Sequence, residues 1–277
     1  MNPNQVKSIL NEKLSKDFNP SEIHAFGFWI LPHLESLSEA LQPKEIDFIC
    51  TELLSGKPIQ YILEAAFFGH LTLKVNPSTL IPRPETEELC VLISNHYRDK
   101  HNGTSTVLNG LDIGTGSGCI PVYLLEKHPK WTFTAMDISD DALDIAAENA
   151  VHVGVQDRLI LQPCDFLSLN SLPENLQLII SNPPYITQSE KNDMHNNVLN
   201  HEPHLALFTP EADPLIFYKH IANLTKKSPR NPAEPLQIWL EINQYLGTET
   251  LALFQFCGSA ELLSDLSGNP RFIHAQY

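Results

Sequence analysis

Asn182-Pro183-Pro184-Tyr185 follows the apolar run Leu176-Gln177-Leu178-Ile179-Ile180, which reads as a buried strand. Proline fixes φ at about −65° and has no N–H. The carbonyls around it are therefore left for an outside donor. The Asn side chain adds one acceptor oxygen and two donor hydrogens. A polar ledge of this kind at a strand end suits a planar –NH2 group, which needs two acceptors in its own plane. An isolated Asn-Pro-Pro is also a plain strand-closing turn, so its meaning depends on what surrounds it.

Three further groups stand where the same sheet edge would place them. Asp112-Ile113-Gly114-Thr115-Gly116-Ser117-Gly118 follows an apolar strand and opens a helix. Glycines there allow a tight turn and close backbone approach to a ligand. The spacing is G-x-G-x-G, not the G-x-G-x-x-G of dinucleotide folds, and Asp112 would repel a pyrophosphate. An amino group or a cationic sulfonium would be well served; a purely structural turn is the alternative. Asp137 ends the next strand, where an acid in a doubly wound fold binds ribose hydroxyls. Its other reading is an N-cap ahead of Asp140. Asp165 and Phe166 follow the third strand and could accept from and cover an adenine ring. The alternative is a turn aspartate beside a core phenylalanine, and the position at the same strand edge favours the ligand reading.

The elements that must position these groups alternate along the chain. Strands are predicted at Val107–Ile113, Trp131–Met136, Arg158–Gln162, Leu176–Ser181 and Leu236–Ile242. Helices are predicted at Cys119–Lys127, Asp140–Val151, Leu215–Thr225 and Thr248–Phe256. This alternation predicts an α/β fold, a doubly wound parallel sheet. Ala260–Leu263 and Phe272–Tyr277 are expected to complete it as an antiparallel edge pair. The stretch Thr187–Asp213 is long and polar with no clear period, as in a lid or binding loop.

Upstream, residues 1–65 read as a small helical bundle and residues 66–105 as a hairpin and linker helix, with the sheet domain over 106–277. Val6, Ile9, Leu10 and Leu14 share one helical face. A second helix is expected over about Glu22–Leu41, kinked or split by Pro32, and Pro43 opens a third. Leu71–Val75 alternates like a strand, and Thr79–Ile81 is expected to pair back on it after the Asn76-Pro77-Ser78 turn. Pro82–Glu87 reads as a stiff stretch leading into an amphipathic helix that ends near Tyr97, and Arg98–Thr106 reads as a surface loop.

The net charge of −15 points away from bare nucleic acid, whose phosphates call for a basic face. Five scattered cysteines without a C-x-x-C pair argue against a disulfide framework or zinc site. His201-Glu202-Pro203-His204 is the nearest approach to a metal spacing, and its proline spoils a helical ligand pair, so no metal is expected. No run has the roughly 18 to 20 apolar residues of a membrane span, and the N-terminus lacks a signal pattern. A cytoplasmic location is expected, without membrane or direct nucleic-acid binding, and as a monomer.

Together the strand-end motifs resemble class I methyltransferases that modify a planar –NH2 nitrogen. Gly56-Lys57-Pro58-Ile59-Gln60-Tyr61-Ile62, Phe67-Phe68-Gly69 and Leu80-Ile81-Pro82-Arg83-Pro84-Glu85-Thr86-Glu87 sharpen this. With His201-Glu202-Pro203, Glu241-Ile242 and Asp265–Arg271, they closely resemble the HemK/PrmC family of peptide-chain release factor glutamine methyltransferases. The resemblance spans essentially the whole chain. Asn243 departs from the glycine the family often has after Glu-Ile, and Pro270 from a commoner acid; neither is expected to touch the chemistry.

The resemblance implies a Rossmann-like, mostly parallel seven-stranded sheet with S-adenosylmethionine as methyl donor and class I release factors as partners. It implies that Asp112, Gly114, Thr115, Gly116, Ser117, Gly118, Asp137, Asp165, Phe166 and Asn182 contact the cofactor. Asn182 and the Pro183 carbonyl would accept the two hydrogens of a glutamine amide, with Pro184 and Tyr185 completing its pocket. Arg83, Glu85 and Thr86 would lie at the site mouth or brace the hinge, and the helical bundle would dock the release factor. The competing readings are a glutamine methyltransferase of a ribosomal protein, an adenine amino-methyltransferase on DNA or RNA, and a cofactor-binding module without turnover. A dehydrogenase fails on the glycine spacing and Asp112.

Overall fold

The structure, a computed structural model, describes residues 1–100, 107–229 and 234–277. Two compact units are present. One holds Met1–Ala65 with Met194–His201, the other Ala66–Asp193 with Glu202–Tyr277.

In the first unit the helices begin where their caps dictate. Asn2 accepts from the Gln5 N–H at 2.9 Å while Gln5 accepts from the Asn2 N–H at 2.9 Å. This reciprocal box starts α1 (Pro3–Leu14), and Asn19 with Glu22 repeats it for α2 (Pro20–Glu35). Pro32 falls in the last turn of α2, which ends at Glu35 instead of running on to Leu41. Pro32 has no N–H to bond the Phe28 carbonyl one turn back, and the helix ends within a turn beyond it. α3 (Gln42–Leu54) carries Pro43 in its first turn, and α4 (Ile59–Ile62) is a single turn. Val6, Leu10, Leu14, Ile30, Leu34, Ile46, Ile49 and Leu53 form the core of this unit.

A hairpin then pairs β1 (Ala65–Phe68) with β2 (Leu71–Lys74). This corrects the expected pairing of Thr79–Ile81, which lies outside any strand. Gly69 makes the turn earlier, at φ +59°, where an added Cβ would lie 2.6 Å from the Tyr123 ring. The Asn76 side chain and carbonyl meanwhile take the Ser78 and Thr79 N–H groups at 2.9 and 3.0 Å, closing a local turn. α5 (Pro84–Lys100) runs past the expected end at Tyr97. The rest of the anticipated loop, to Thr106, lies outside the described residues.

The remaining chain alternates as predicted: β3 (Leu108–Ile113), α6 (Cys119–Lys127), β4 (Trp131–Asp137), α7 (Asp140–Val153), β5 (Leu159–Pro163) and β6 (Leu178–Ser181). The unpatterned stretch after β6 contains a 3-10 turn (Gln188–Asp193), α8 (Asn196–His201) and α9 (His204–Leu207), all too short to show a period. It closes on itself through a bridge between Ile186 and Phe208. Then come α10 (Ile216–Lys227), β7 (Gln237–Glu241), α11 (Gly247–Ala252), β8 (Ser259–Ser264) and β9 (Pro270–Gln276).

The seven strands lie in the order β5-β4-β3-β6-β7-β9-β8. The first five are parallel, and β9 runs antiparallel between β7 and β8. Both faces are covered. Ile180 and Trp239 join the core with Phe68, Leu89 and Leu124, whereas Ile179, Ile238 and Leu240 join Tyr218, Ile221 and Phe254. Burial on both sides explains why these strands read as continuous apolar runs. Chain order reverses between β3 and β6, and ligands of such sheets bind beyond the carboxyl ends at that point.

Candidate active site

Asp112 lies near the carboxyl end of β3 and is fully buried. Neither of its carboxylate oxygens has a hydrogen-bond partner of normal geometry among the described residues, and the Thr115 and Ser117 hydroxyls are orphaned beside it. Burial pushes the Asp112 carboxyl up to about 7; the nearby Thr115 hydroxyl opposes this and the Asp137 charge adds to it. A buried acid left without partners is costly unless a ligand supplies them.

The loop beyond it is built to admit that ligand. Gly114 and Gly116 have φ of +74° and +54°, and nothing lies within 4 Å of where a Cβ would stand on either. The Gly114 and Thr115 N–H groups bond the Met136 carbonyl at 2.8 and 3.0 Å, folding the loop over β4. Asn149 of α7 secures the loop from behind. Its amide donates to the Ser117 and Lys74 carbonyls at 2.9 Å each and accepts from the Lys74 N–H at 2.6 Å.

Asp137 does not cap α7; Ser139 does, accepting from the Ala142 N–H at 3.2 Å. The Asp137 carboxylate takes the Gly116 N–H at 2.8 Å and the Ser139 N–H at 3.0 Å. Each oxygen keeps a further lone pair for a diol. Asp165 accepts from the Leu167 N–H at 3.1 Å in a short turn. Phe166 is buried in the core, edge-on to His220 at 5.0 Å. The donor set thus fits a cationic ligand with a ribose: an unsatisfied acid, an open glycine cradle and an acceptor at the next strand end.

Asn182 to Tyr185 leave the end of β6, adjacent in the sheet to β3. The Asn182 Nδ2 donates to the Thr86 Oγ1 at 3.0 Å. Thr86, in the first turn of α5, donates to Glu241 Oε2 at 2.7 Å, and the Tyr185 hydroxyl donates to Glu241 Oε1 at 3.1 Å. Glu241 ends β7 and is fully buried; desolvation raises its carboxyl to about 7 against those hydrogen bonds and the Arg271 charge. Burial, with Glu241 beside it, also raises the Tyr185 phenol well above its ordinary range.

Of the residues expected at the mouth, only Thr86 joins this cluster directly. Arg83 is committed to Glu202, at 2.7 Å, and Glu202 also accepts the Ile81 N–H at 3.3 Å. Glu85 acts on Glu241 and Tyr185 through its charge alone. Asn243 corrects its expected detachment from the site. Its Nδ2 donates to the Tyr185 carbonyl at 3.1 Å and to Glu190 at 3.0 Å. Sequence reasoning missed Glu241, Glu202 and Asn243 as parts of the site; Glu241 and Glu202 were signalled by membership of matched motifs, and Asn243 by its departure from one.

A family model for the methyltransferase small domain matches residues 97–206. The release factor glutamine methyltransferase of Flavobacterium psychrophilum is 38% identical, over 96% of this chain and 96% of its own. That of Bacteroides thetaiotaomicron is 33% identical over 98% and 99%. Among solved structures, the human Mettl16 catalytic domain in complex with a MAT2A 3′UTR hairpin superposes with a TM-score of 0.55 at 18% identity, over 84% of this chain and 80% of that one. The N-terminal domain of human METTL16 in complex with SAH gives 0.50 at 22% identity, over 76% of each. These two share the sheet architecture; the sequence relatives match the chain from end to end, and on that ground it belongs to the release factor glutamine methyltransferase family.

Proposed function

We propose that this chain transfers the methyl group of S-adenosylmethionine to the side-chain amide nitrogen of a glutamine in class I peptide-chain release factors, as a cytoplasmic monomer. The observation that carries the reading is the placing of Asn182 and Pro183 at the end of β6, beside the β3 end that bears Asp112 and the open glycine cradle. Among the described residues, no helix is long and apolar enough to cross a membrane.

When bound, the cofactor supplies an electrophilic sulfonium methyl whose leaving group is a neutral thioether. Asp112, Gly114, Thr115, Gly116, Ser117 and Gly118 would hold its charged end, Asp137 its ribose, and Asp165 with Phe166 the edge of its base. A glutamine nitrogen is a poor nucleophile because its lone pair is delocalised, and its protons are too weakly acidic for a general base at neutral pH. The chain therefore has to orient. The Asn182 Oδ1 and the Pro183 carbonyl accept the two amide hydrogens, aim the nitrogen and stabilise positive charge as it grows there. Pro184 and Tyr185 wall the amide. Orientation of this kind contributes up to about 7 to 11 kcal/mol in favourable systems, and fixed dipoles add to it. Residues 1–65 are the docking module for the release factor, residues 66–105 connect it to the sheet domain, and Arg83 and Glu85 brace that connection.

The test is incubation with tritiated S-adenosylmethionine and purified release factors, followed by mapping of the labelled peptide. Label on one glutamine amide supports the reading. Label in a ribosomal protein or in nucleic acid, or none at all, overturns it.

A further inference from the structure

The amide clamp works only if Asn182 presents its oxygen, and not its –NH2, to the substrate. A carboxamide is nearly symmetric in shape, so something must decide which end faces which way. The candidate is a chain of three side chains from three separate elements: Asn182 Nδ2 to Thr86 Oγ1 at 3.0 Å, and Thr86 Oγ1 to Glu241 Oε2 at 2.7 Å. Thr86 and Glu241 are both buried.

We propose that Glu241, acting through Thr86, is the positioning residue that fixes the polarity of the Asn182 amide. This rests on the methyl-transfer reading above. Burial holds the Glu241 carboxyl at about 7, so above neutral pH it is ionised, and an ionised carboxylate only accepts hydrogen bonds. Thr86 has a single proton, and Glu241 claims it. The Thr86 oxygen can then do nothing toward Asn182 except accept, so it selects the –NH2 end. Asn182 Oδ1 is thereby turned away from Thr86, and among the described residues it has no partner. The second Glu241 oxygen holds the Tyr185 hydroxyl at 3.1 Å by the same logic. One carboxylate thus sets the direction of both polar side chains of the tetrapeptide. A glutamine at 241 would no longer enforce the rule, because its –NH2 end can face Thr86 and free the Thr86 proton to point at Asn182 Oδ1.

The experiment compares Thr86→Val, Thr86→Ser and Glu241→Gln with the parent chain, using a release factor and tritiated S-adenosylmethionine. Cofactor affinity is read by calorimetry and Tm by scanning fluorimetry. Thr86→Val and Glu241→Gln are expected to lower kcat by about 10²-fold, the order that small misplacements of reacting groups cost. Cofactor Kd should stay within about threefold, since neither residue belongs to the cofactor cradle, and Thr86→Ser should recover most of the lost kcat. If Glu241→Gln fails to fold, Thr86→Val decides alone. A Thr86→Val kcat within about threefold of the parent overturns the polarity lock, as does a loss of kcat, cofactor affinity and Tm together, or a Thr86→Ser no better than the valine. An inactive parent chain overturns the functional reading, and the lock with it.

Discussion

Arg83 and Glu202 form an ion pair at 2.7 Å in which the partners are unequally placed: the Glu202 side chain is 2% exposed and that of Arg83 32%. Removing either does not cost the same. Arg83→Ala leaves a buried carboxylate with one backbone donor, whereas Glu202→Gln leaves a cation that water can reach. Arg83→Ala is expected to cost roughly 3 kcal/mol of stability in urea unfolding, and Glu202→Gln about 1 kcal/mol. Should Arg83→Ala keep its stability and lose only affinity for the protein substrate, Arg83 touches that substrate instead of bracing the chain.

Asn182→Ala is expected to abolish methyl transfer while cofactor affinity stays within about tenfold, because the clamp and the cradle sit on different strands. Asp137→Ala should do the reverse, weakening the cofactor first, since it also releases the Gly116 N–H. Turnover close to the parent's in Asn182→Ala, under saturating cofactor, would sink the amide-clamp mechanism.

Asp112 gives a pH signature whose sign is fixed by its burial. Its carboxyl is held at about 7 against an ordinary 3.8, with Asp137, Thr115 and Cys119 as its neighbours. Between these values the folded chain binds a proton that the unfolded chain lacks. The stability this contributes is complete below pH 3.8 and is lost as pH rises through about 7. A cation in the cradle favours the carboxylate and expels that proton. Calorimetry at pH 7 in two buffers of different ionisation enthalpy should therefore show release of about half a proton per S-adenosylmethionine bound. Asp112→Asn should release none. Equal heats in both buffers for the parent chain would remove Asp112 from the cofactor site.

Asn243→Gly tests whether a departure from the family pattern matters. It deletes donors to the Tyr185 carbonyl and to Glu190, whose carboxyl is held below its usual range by the Thr187 N–H, Asn243 and the Thr187 hydroxyl, against its own partial burial. Hydrogen bonds to charged groups contribute about 1.5 to 3 kcal/mol. Amide exchange at Ile186 and Thr187 should then be roughly tenfold faster or more. Unchanged exchange would mean that the bridge to Phe208 and the Thr187–Glu190 hydrogen bonds hold the segment without Asn243.

The parallel sheet was legible because its strands are buried on both faces, so Leu178–Ser181 and Gln237–Glu241 stand out as short apolar blocks between turn signals. The glycine loop and the tetrapeptide were legible because backbone conformation and side-chain chemistry coincide there within a few residues. The hairpin partner was not, since Gly69 and the Asn76-Pro77-Ser78 run are competing turn signals and the left-handed φ of Gly69 carries no local mark in the sequence. Glu241 and Glu202 escaped for a different reason. No local pattern tells an acid that it will close on Thr86 or Arg83, more than a hundred residues away.

That separation sets an order of assembly. β3, β4 and β5 are successive in the chain and adjacent in the sheet, so Asp112, the glycine loop and Asp137 are brought together by short closures. The frame of Thr86, Asn182 and Glu241 spans 155 residues and needs β6 and β7 docked on the far side of β3. Long closures carry the larger entropic cost and form late. A refolding chain is therefore expected to acquire its cradle for the methyl donor before its grip on the acceptor. Pulse-labelled exchange should see protection at Gly116 ahead of Ile242, and the opposite sequence would contradict it.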